Sequence, residues 1–202
     1  MTHPPIILRA ACAGRVRPML IRGDGQSTET HQIVSGIHKT AITSPDHPHS
    51  VMCGTLGLHG DEQADLSVHG GIDKAVYCYP VEHYAFWKSS FSWLCERPDD
   101  FGMVGENLCI EGILESEIWI GDALLIGKTV RLKVTKPREP CYKFNAKMRS
   151  KHASKLMAQN GFCGWYAQVI EEGPIQAGDT ITVVPGPRDT TVADEYRRLL
   201  KG

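Results

Sequence analysis

Glycine and proline occur along the whole chain and divide it into short segments. There are 20 glycines and 12 prolines among 202 residues, and turns built on these residues favour short strands over long helices. The clearest strand is TVRLKVT, in which Val130, Leu132 and Val134 alternate with polar residues at the period of two typical of a half-buried strand. The pattern therefore predicts a chain made of many short strands.

Two Gly-Asp turns flank this strand in the sequence. Gly121-Asp122 leads into ALLI and Gly178-Asp179 leads into TITVV, and each dipeptide is typical of a tight turn that feeds a strand. Further strands are expected at 14–21, 74–79, 106–112 and 164–170, and helices at 81–91, at 152–161 and after Thr191. So many short strands would leave unpaired edges in an open sheet. We therefore expect a mainly β fold, a closed or nearly closed β-barrel with a few short peripheral helices.

Charge and cysteine content exclude several classes of protein. Lys and Arg number 22 against 23 Asp and Glu, a net charge of −1, so no overall field favours nucleic acid or an anionic membrane. No apolar run approaches the roughly 18 residues of a membrane helix. The seven cysteines include no CxxC pair, which argues against a disulfide framework and a structural zinc site. We expect a cytoplasmic protein with neither a membrane nor a nucleic-acid partner.

Two glycine-containing groups could contact a polar ligand. In residues 57–76, Gly70-Gly71 lies between His69 and Lys74, where backbone N–H groups and an ammonium could receive an anion. A polar connection rich in turn glycines explains the same composition equally well. At 105–107, Gly-Glu-Asn enters a predicted strand, and a turn followed by a strand accounts for it adequately.

Other familiar chemistries have little support in the sequence. A zinc site using His59, Asp61 and His69 is disfavoured, because the two histidines are ten residues apart and match no tight ligand spacing. The chain contains no GxxxxGK[ST], HExxH or GxSxG motif and no GxGxxG after a strand. Common phosphate, zinc-protease, hydrolase and dinucleotide sites are therefore not indicated.

The segment KPREPCYKFN is the most informative part of the sequence. Cys141 follows the best-predicted strand, with Lys136, Arg138, Lys143 and Asn145 nearby. Cations close to a thiol favour the thiolate, which can act as a nucleophile or as a ligand for a soft metal. The other six cysteines lack such a setting and are expected to be small buried apolar residues. Cys141 is thus the candidate functional cysteine.

The order of these segments resembles the MOSC family, named after the C-terminal domain of molybdenum-cofactor sulfurase. The matching strings are SGIHKTAI, GLHGDEQADLSVHGGIDKAVYCYPVEHYAFW, GENLCIEGILESEIWIGD and VTKPREPCYKFN. The resemblance extends from about residue 13 to residue 185, and within the family the chain is most similar to the YiiM-like subgroup, which confers resistance to hydroxylaminopurine.

This resemblance implies a β-barrel MOSC domain over residues 1–188 followed by a short C-terminal helix in 189–202. It implies a molybdopterin-type molybdenum cofactor whose metal is held by Cys141. Members of the subgroup commonly continue into three C-terminal helices, of which we expect at most one here. The residues implied to contact pterin and phosphate are Lys39, Asp61, His69, Gly70, Gly71, Lys74, Asn107 and Arg138.

The function implied first is a molybdenum-dependent oxidoreductase with Cys141 as its catalytic residue. It would reduce small N-hydroxylated compounds, such as hydroxylaminopurines and amidoximes, with electrons from a separate donor protein. A sulfur carrier with a persulfide on Cys141 needs the same thiol, and any pyridoxal phosphate would then belong to a partner that generates the sulfur. A non-catalytic pterin-binding module is the third alternative. The oligomeric state is left open.

Overall fold

The computed structural model describes residues 4–22, 30–64, 70–97 and 100–201. Strands dominate these residues, and the helices are short. The strands are β1 (Ile6–Ala13), β2 (Arg17–Arg22), β3 (Thr30–Ser35), β4 (Thr40–Thr43), β5 (Val51–Gly54), β6 (Gly57–Leu58), β7 (Val76–Pro80), β8 (Leu108–Glu111), β9 (Ala123–Ile126), β10 (Val130–Pro137), β11 (Trp165–Glu171), β12 (Gly173–Ile175) and β13 (Thr180–Val184). The α-helices are α1 (Tyr84–Ser90), α2 (Tyr142–Lys147), α3 (Ala153–Asn160) and α4 (Val192–Leu199).

Seven strands form a closed barrel in the order β13-β9-β10-β11-β7-β8-β1, and β1 pairs again with β13. The closing pairs are Ile6 with Ile181 and Ile7 with Thr180. All neighbours in the ring are antiparallel except β7 and β8, which run parallel. The predicted barrel is therefore confirmed, and its closure removes the free edges that an open sheet would expose.

Two smaller sheets accompany the barrel. The strands β2 and β3 form a hairpin, and β12, β5 and β6 form a three-stranded sheet. The strand β4 pairs with the C-terminal part of β1, and the pairing has a bulge between Ala11 and Cys12. The predicted strand at 14–21 corresponds to β2, which begins only at Arg17.

Alternation in the sequence determines which side chains enter the core. In β10, Val130, Leu132 and Val134 are buried while Lys133 between them is exposed, as the period of two predicts. The strand β1 instead is buried at every position from Ala10 to Ala13, so side chains on both of its faces are covered. Local alternation could not identify it, and the sequence analysis did not predict it.

The helices are not part of the strand ring; α4 packs against β10, and α2 packs against α3 and β2. The predicted helix at 81–91 begins with a 3-10 turn at Val81–His83 and continues as α1. The helix α3 ends at Gly161, which has the left-handed conformation with φ of 73°. In α4, the Thr191 side chain caps the helix by accepting a hydrogen bond from the Asp194 N–H at 3.0 Å. No helix among the described residues is long and apolar enough to cross a membrane.

Candidate functional site

A narrow cleft forms where the segments 35–39, 61–64, 105–107 and 138–143 meet strands β7 and β11. Its volume is about 100 Å³, which suits a small ion or one end of a larger ligand. Six of the nine residues singled out from the sequence line this cleft: Lys39, Asp61, Lys74, Asn107, Arg138 and Cys141. The fold thus brings together groups that lie up to about one hundred residues apart in the chain.

The back of the cleft is a buried ion pair. The Lys39 ammonium donates to both carboxylate oxygens of Asp61, and both side chains are more than nine-tenths buried. Asp61 also accepts hydrogen bonds at 2.9 Å from the Gly14 N–H and from the Asn107 side-chain amide. Because every one of these donors converges on one carboxylate, the charge of Lys39 is already compensated within the protein.

Asn107 connects this ion pair to the barrel. Its side-chain amide donates to the Cys12 carbonyl at 3.1 Å, and its side-chain oxygen accepts from the Tyr77 N–H at 3.1 Å. These bonds connect the residue just before β8 to Cys12 of β1 and Tyr77 of β7. Asn107 therefore supports the position of Asp61 as well as lining the cleft.

Glycines allow the backbone around Lys39 to pack very closely. A Cβ atom on Gly14 would lie 2.1 Å from the His38 carbonyl oxygen. Gly105 has φ of +94°, and a Cβ atom there would lie 2.6 Å from the Ile37 side chain. Only glycine fits at such close approaches. The two glycines hold the segment that carries Lys39 against β1 and the 105–107 turn.

Arg138 provides a buried positive charge at the cleft. The residue is only 5% exposed, and its guanidinium carbon lies 5.0 Å from the centre of the Tyr77 ring and 4.6 Å from that of Phe144. Its Nη1 atom lies 3.7 Å from the Met157 sulfur. Within the described residues no carboxylate forms an ion pair with it. A guanidinium stays charged at all ordinary pH values, and ring faces compensate a buried charge only in part. The site is therefore suited to an anion.

The carboxylates around the cleft are already engaged by other groups. Asp61 binds Lys39, as described above, and Glu139 lies 3.1 Å from the Lys136 ammonium. Glu62 accepts a hydrogen bond of 2.7 Å from the Val16 N–H. An anion entering the cleft would therefore meet Arg138 without displacing an existing ion pair of that side chain.

Cys141 is one of the residues that line the cleft. It is half-buried, and it lies in extended backbone directly before α2, with φ of −132° and ψ of 172°. Its carbonyl accepts hydrogen bonds from the Phe144 N–H at 2.9 Å and from the Ser154 hydroxyl at 3.2 Å. Both α2 and α3 thus fix the backbone that carries the sulfur.

The remaining predicted residues lie apart from the cleft or outside the described residues. His69 lies outside the described residues. Gly70 and Gly71 are not part of the cleft lining, and the Gly71 N–H donates to the Gln63 side chain at 2.7 Å. The predicted contact of these two glycines with pterin or phosphate therefore stays a prediction.

The zinc interpretation finds no support in this part of the molecule. Across 4–22, 30–64, 70–97 and 100–201, no three His, Cys, Asp or Glu side chains are grouped so that they could hold a metal ion. His59 is exposed, and Asp61 is held by Lys39.

Two tyrosines at the cleft were missed by the sequence analysis. Tyr77 and Tyr166 face each other across the β7–β11 pair, with ring centres 5.4 Å apart, and both line the cleft. The Tyr77 hydroxyl donates to the Cys163 carbonyl at 2.8 Å. Burial raises the pKa of both phenols, so they remain neutral at physiological pH. Their cross-strand pairing depends on strand register, which no local signal in the sequence revealed.

Comparison with known proteins agrees with this architecture. Residues 65–182, more than half of the chain, match the sequence model of the MOSC domain. The protein YiiM from Escherichia coli is 36% identical over 165 residues, which cover 74% of this chain and 72% of YiiM. A protein named reductase from Gibberella moniliformis is 34% identical over 188 residues, covering 92% of this chain but only 30% of that longer protein. The crystal structure of YiiM from Geobacillus stearothermophilus superposes with a TM-score of 0.71 at 24% identity, covering 96% of this chain and 84% of that one. On the strength of the domain match and the relative from E. coli, this chain belongs to the MOSC domain family.

Proposed function

We propose that the protein is a molybdenum-cofactor-dependent oxidoreductase that reduces N-hydroxylated compounds with electrons from a separate donor protein. The observation that carries the proposal is that Cys141 lines the same cleft as the buried cation Arg138, which has no carboxylate partner in the described part of the chain. Membership of the MOSC family and the similarity to a protein named reductase support the same class of activity.

The donor set of the cleft fits such a cofactor. A thiolate is the protein ligand that a soft metal centre prefers, and Cys141 offers a sulfur on a fixed backbone. Arg138, together with the amines of Lys74 and Lys143 in the cleft lining, would balance the charge of a phosphate group. When bound, the cofactor would supply a two-electron metal centre for removal of an oxygen atom.

Each residue of the site then has a defined task. Cys141 would hold the metal, and Arg138 would bind the anionic end of the cofactor. The rings of Tyr77 and Phe144 pack against the guanidinium and keep it in place. The Lys39–Asp61 pair acts on the scaffold, since its charges compensate each other and its hydrogen bonds fix the segments that form the walls. The protein thus supplies binding and orientation, and the cofactor supplies the redox chemistry.

The overall reaction consumes two electrons and two protons. An N-hydroxylated amine, R–NHOH, would yield R–NH₂ and water as the N–O bond breaks. The donor protein would supply both electrons, and the protons would come from solvent at the accessible mouth of the cleft. The segment of the relative named reductase that matches this chain is only 30% of that protein's length.

The first experiment measures bound cofactor. The full chain, purified from a host that makes the molybdenum cofactor, would be analysed for molybdenum and for fluorescence of the oxidised pterin. We expect near-stoichiometric amounts of both in the wild type and loss of molybdenum in Cys141→Ala. The matched control is Cys95→Ala, because Cys95 is exposed and lies outside the cleft lining; this variant should retain both. Turnover of a hydroxylaminopurine with a chemical reductant would follow.

The outcomes separate the alternatives. Absence of molybdenum and pterin from the wild type, even after reconstitution, would overturn the oxidoreductase proposal. A mass increase of one sulfur atom on Cys141 in such a protein would then indicate a sulfur carrier. Bound cofactor that is never reoxidised by any N-hydroxylated compound would indicate a pterin-binding module.

A further inference from the structure

The stretch of chain that follows Cys141 has an uneven distribution of charge. Between Glu139 and Glu171 there are five Lys and Arg residues and no Asp or Glu. All five lie within residues 143–155, in α2, α3 and the turn that joins them. The rest of the chain holds 17 of the 22 Lys and Arg residues against all 23 Asp and Glu. A short basic segment is therefore set into a chain that is otherwise acidic.

Several of these charges are exposed and have no counterion. Arg149, Lys151 and Lys155 are exposed, and so is His152. In the described part of the chain none of the three cations forms an ion pair. Both lysines lie near the N-terminal end of α3, where the helix dipole disfavours positive charge. We call Arg149, Lys151, His152 and Lys155 the basic surface.

Hydrogen bonds hold the backbone of the basic surface in place. The Asn145 backbone carbonyl accepts from the Ser150 N–H at 3.0 Å, and the Asn145 side-chain oxygen accepts from the Ser154 N–H at 2.7 Å. Arg149 has a left-handed backbone with φ of 53°, and its guanidinium carbon lies 4.4 Å from the centre of the Trp93 ring. The turn between α2 and α3 thus carries its charges on a fixed backbone.

The basic surface adjoins the segment that carries Cys141. The hydroxyl of Ser154, the residue before Lys155, donates to the Cys141 carbonyl at 3.2 Å. Lys143, another of the five cations, lines the cleft together with Cys141. A partner bound to the basic surface would therefore lie next to the residue proposed to hold the metal.

We propose that the basic surface is the docking site of the electron donor, and that this donor is a small acidic electron-transfer protein. The inference rests on the proposed function and deepens it, because it gives the kind of partner and the place where it binds. Complementary charge steers two proteins together and sets their orientation. Electron-transfer partners form small, transient interfaces, which one charged turn can provide. A one-electron donor would dock twice per turnover, since reduction of R–NHOH to R–NH₂ and water takes two electrons.

A protein partner fits the charge distribution better than a nucleic acid or a membrane. Both of these present an extended negative surface, which would also meet the acidic remainder of the chain. Domains that bind nucleic acid commonly have a pI above about 9, whereas the sequence pI here is about 6.7. A compact acidic protein can contact the basic surface alone.

The binding test uses the full chain without cofactor and two acidic redox proteins as probes, a bacterial flavodoxin and a plant-type ferredoxin. Titration calorimetry at about 20 mM salt, where screening is weak, should show binding of at least one probe to the wild type. The double variant Lys151→Glu with Lys155→Glu should bind that probe at least about tenfold more weakly, because like charges then face each other.

The matched control is the double variant Lys128→Glu with Lys133→Glu. Both lysines are exposed and lie outside residues 143–155, and the change in net charge is the same. This variant should weaken binding far less. Urea unfolding and circular dichroism should show that both double variants fold like the wild type, and added salt should weaken binding to the wild type.

The kinetic test uses cofactor-loaded protein and hydroxylaminopurine, with either the reduced probe or dithionite as the source of electrons. Lys151→Glu with Lys155→Glu should raise KM for the protein donor at least about tenfold. Turnover with dithionite should stay unchanged, because a small reductant needs no docking surface. Molybdenum and pterin contents should equal those of the wild type.

The two proposals fail in different ways. If dithionite drives reduction of no N-hydroxylated compound, yet a probe binds in a manner that depends on Lys151 and Lys155, the reductase proposal is wrong and the docking surface stands. If neither probe binds the wild type, or if both double variants weaken binding equally, the docking proposal is overturned. It is also overturned if a single-stranded oligonucleotide or an anionic lipid vesicle binds the basic surface more tightly than either probe.

Discussion

Replacing Asp61 by Asn tests whether the buried ion pair organises the cleft. In the protein the carboxylate accepts hydrogen bonds from the Lys39 ammonium, the Gly14 N–H and the Asn107 side-chain amide. The substitution removes the negative charge and leaves the Lys39 charge buried without a counterion. Breaking one partner of a buried pair costs about 3–5 kcal/mol. We expect the free energy of unfolding of Asp61→Asn to fall by about that amount.

Lys39→Met should be less damaging than Asp61→Asn. After loss of the lysine, Asp61 still accepts hydrogen bonds from two neutral donors, which satisfy part of the carboxylate. The double variant, Lys39→Met with Asp61→Asn, removes both charges, so its loss should be smaller than the sum of the two single losses by more than about 1 kcal/mol.

Urea unfolding at pH 7, followed by tryptophan fluorescence and circular dichroism, measures these differences. Asp100→Asn is the matched control, because Asp100 pairs with Lys88 at 2.7 Å on the exposed surface and such pairs contribute about 1 kcal/mol or less. The reasoning is refuted if Asp61→Asn and Asp100→Asn lose equal stability, or if the two single losses simply add in the double variant.

Three further predictions concern a buried lysine, a glycine and the thiols. Burial lowers the pKa of Lys147 to about 7. Between pH 7 and about 10.5 the lysine is protonated in the unfolded chain but not in the folded one. The free energy of unfolding should therefore rise with pH over this window, by up to about 5 kcal/mol. Lys147→Met should therefore exceed the wild type in free energy of unfolding by the largest amount below pH 7. Urea unfolding of both proteins at pH 6.5 and 9.5 measures this difference, and an equal difference at the two pH values would contradict the prediction. Gly105→Ala should lose about 1–3 kcal/mol and bound pterin, because its Cβ would clash with Ile37 at φ of +94°; unchanged pterin content would show that the segment adjusts. A thiol reagent should react rapidly with only Cys95 and Cys141 in the native, cofactor-free chain, since the other five cysteines are buried, and cofactor should protect Cys141 alone; a third fast thiol would count against the fold.

The sequence revealed those parts of the fold that local patterns encode. Alternation identified β10, and turn glycines identified the starts of β9 and β13 with the bounds that the structure has. Burial on both faces removes alternation, so β1 was missed. The helix α2 was also missed, because its six residues are too few for a helical period to be recognised.

The candidate site could be predicted in its residue types but not in its pairings. The cationic setting of Cys141 was visible because Arg138 and Lys143 are its neighbours in the chain. That Lys39 would be compensated by Asp61 depends on two loops that meet only in the folded barrel. The packing of α2 against β2 likewise joins segments that lie far apart in the sequence.

The seam between β1 and β13 has a consequence for how the molecule is made. Ile6 pairs with Ile181, so the first strand of the ring to leave the ribosome must wait for the last before the ring can close. Contacts between such distant parts of a chain slow folding. Until then β1 has an unpaired side, and a nascent chain in this state is open to misassociation and to holding by chaperones. None of the residues that line the cleft belongs to either seam strand, so this last pairing contributes no side chain to the cleft.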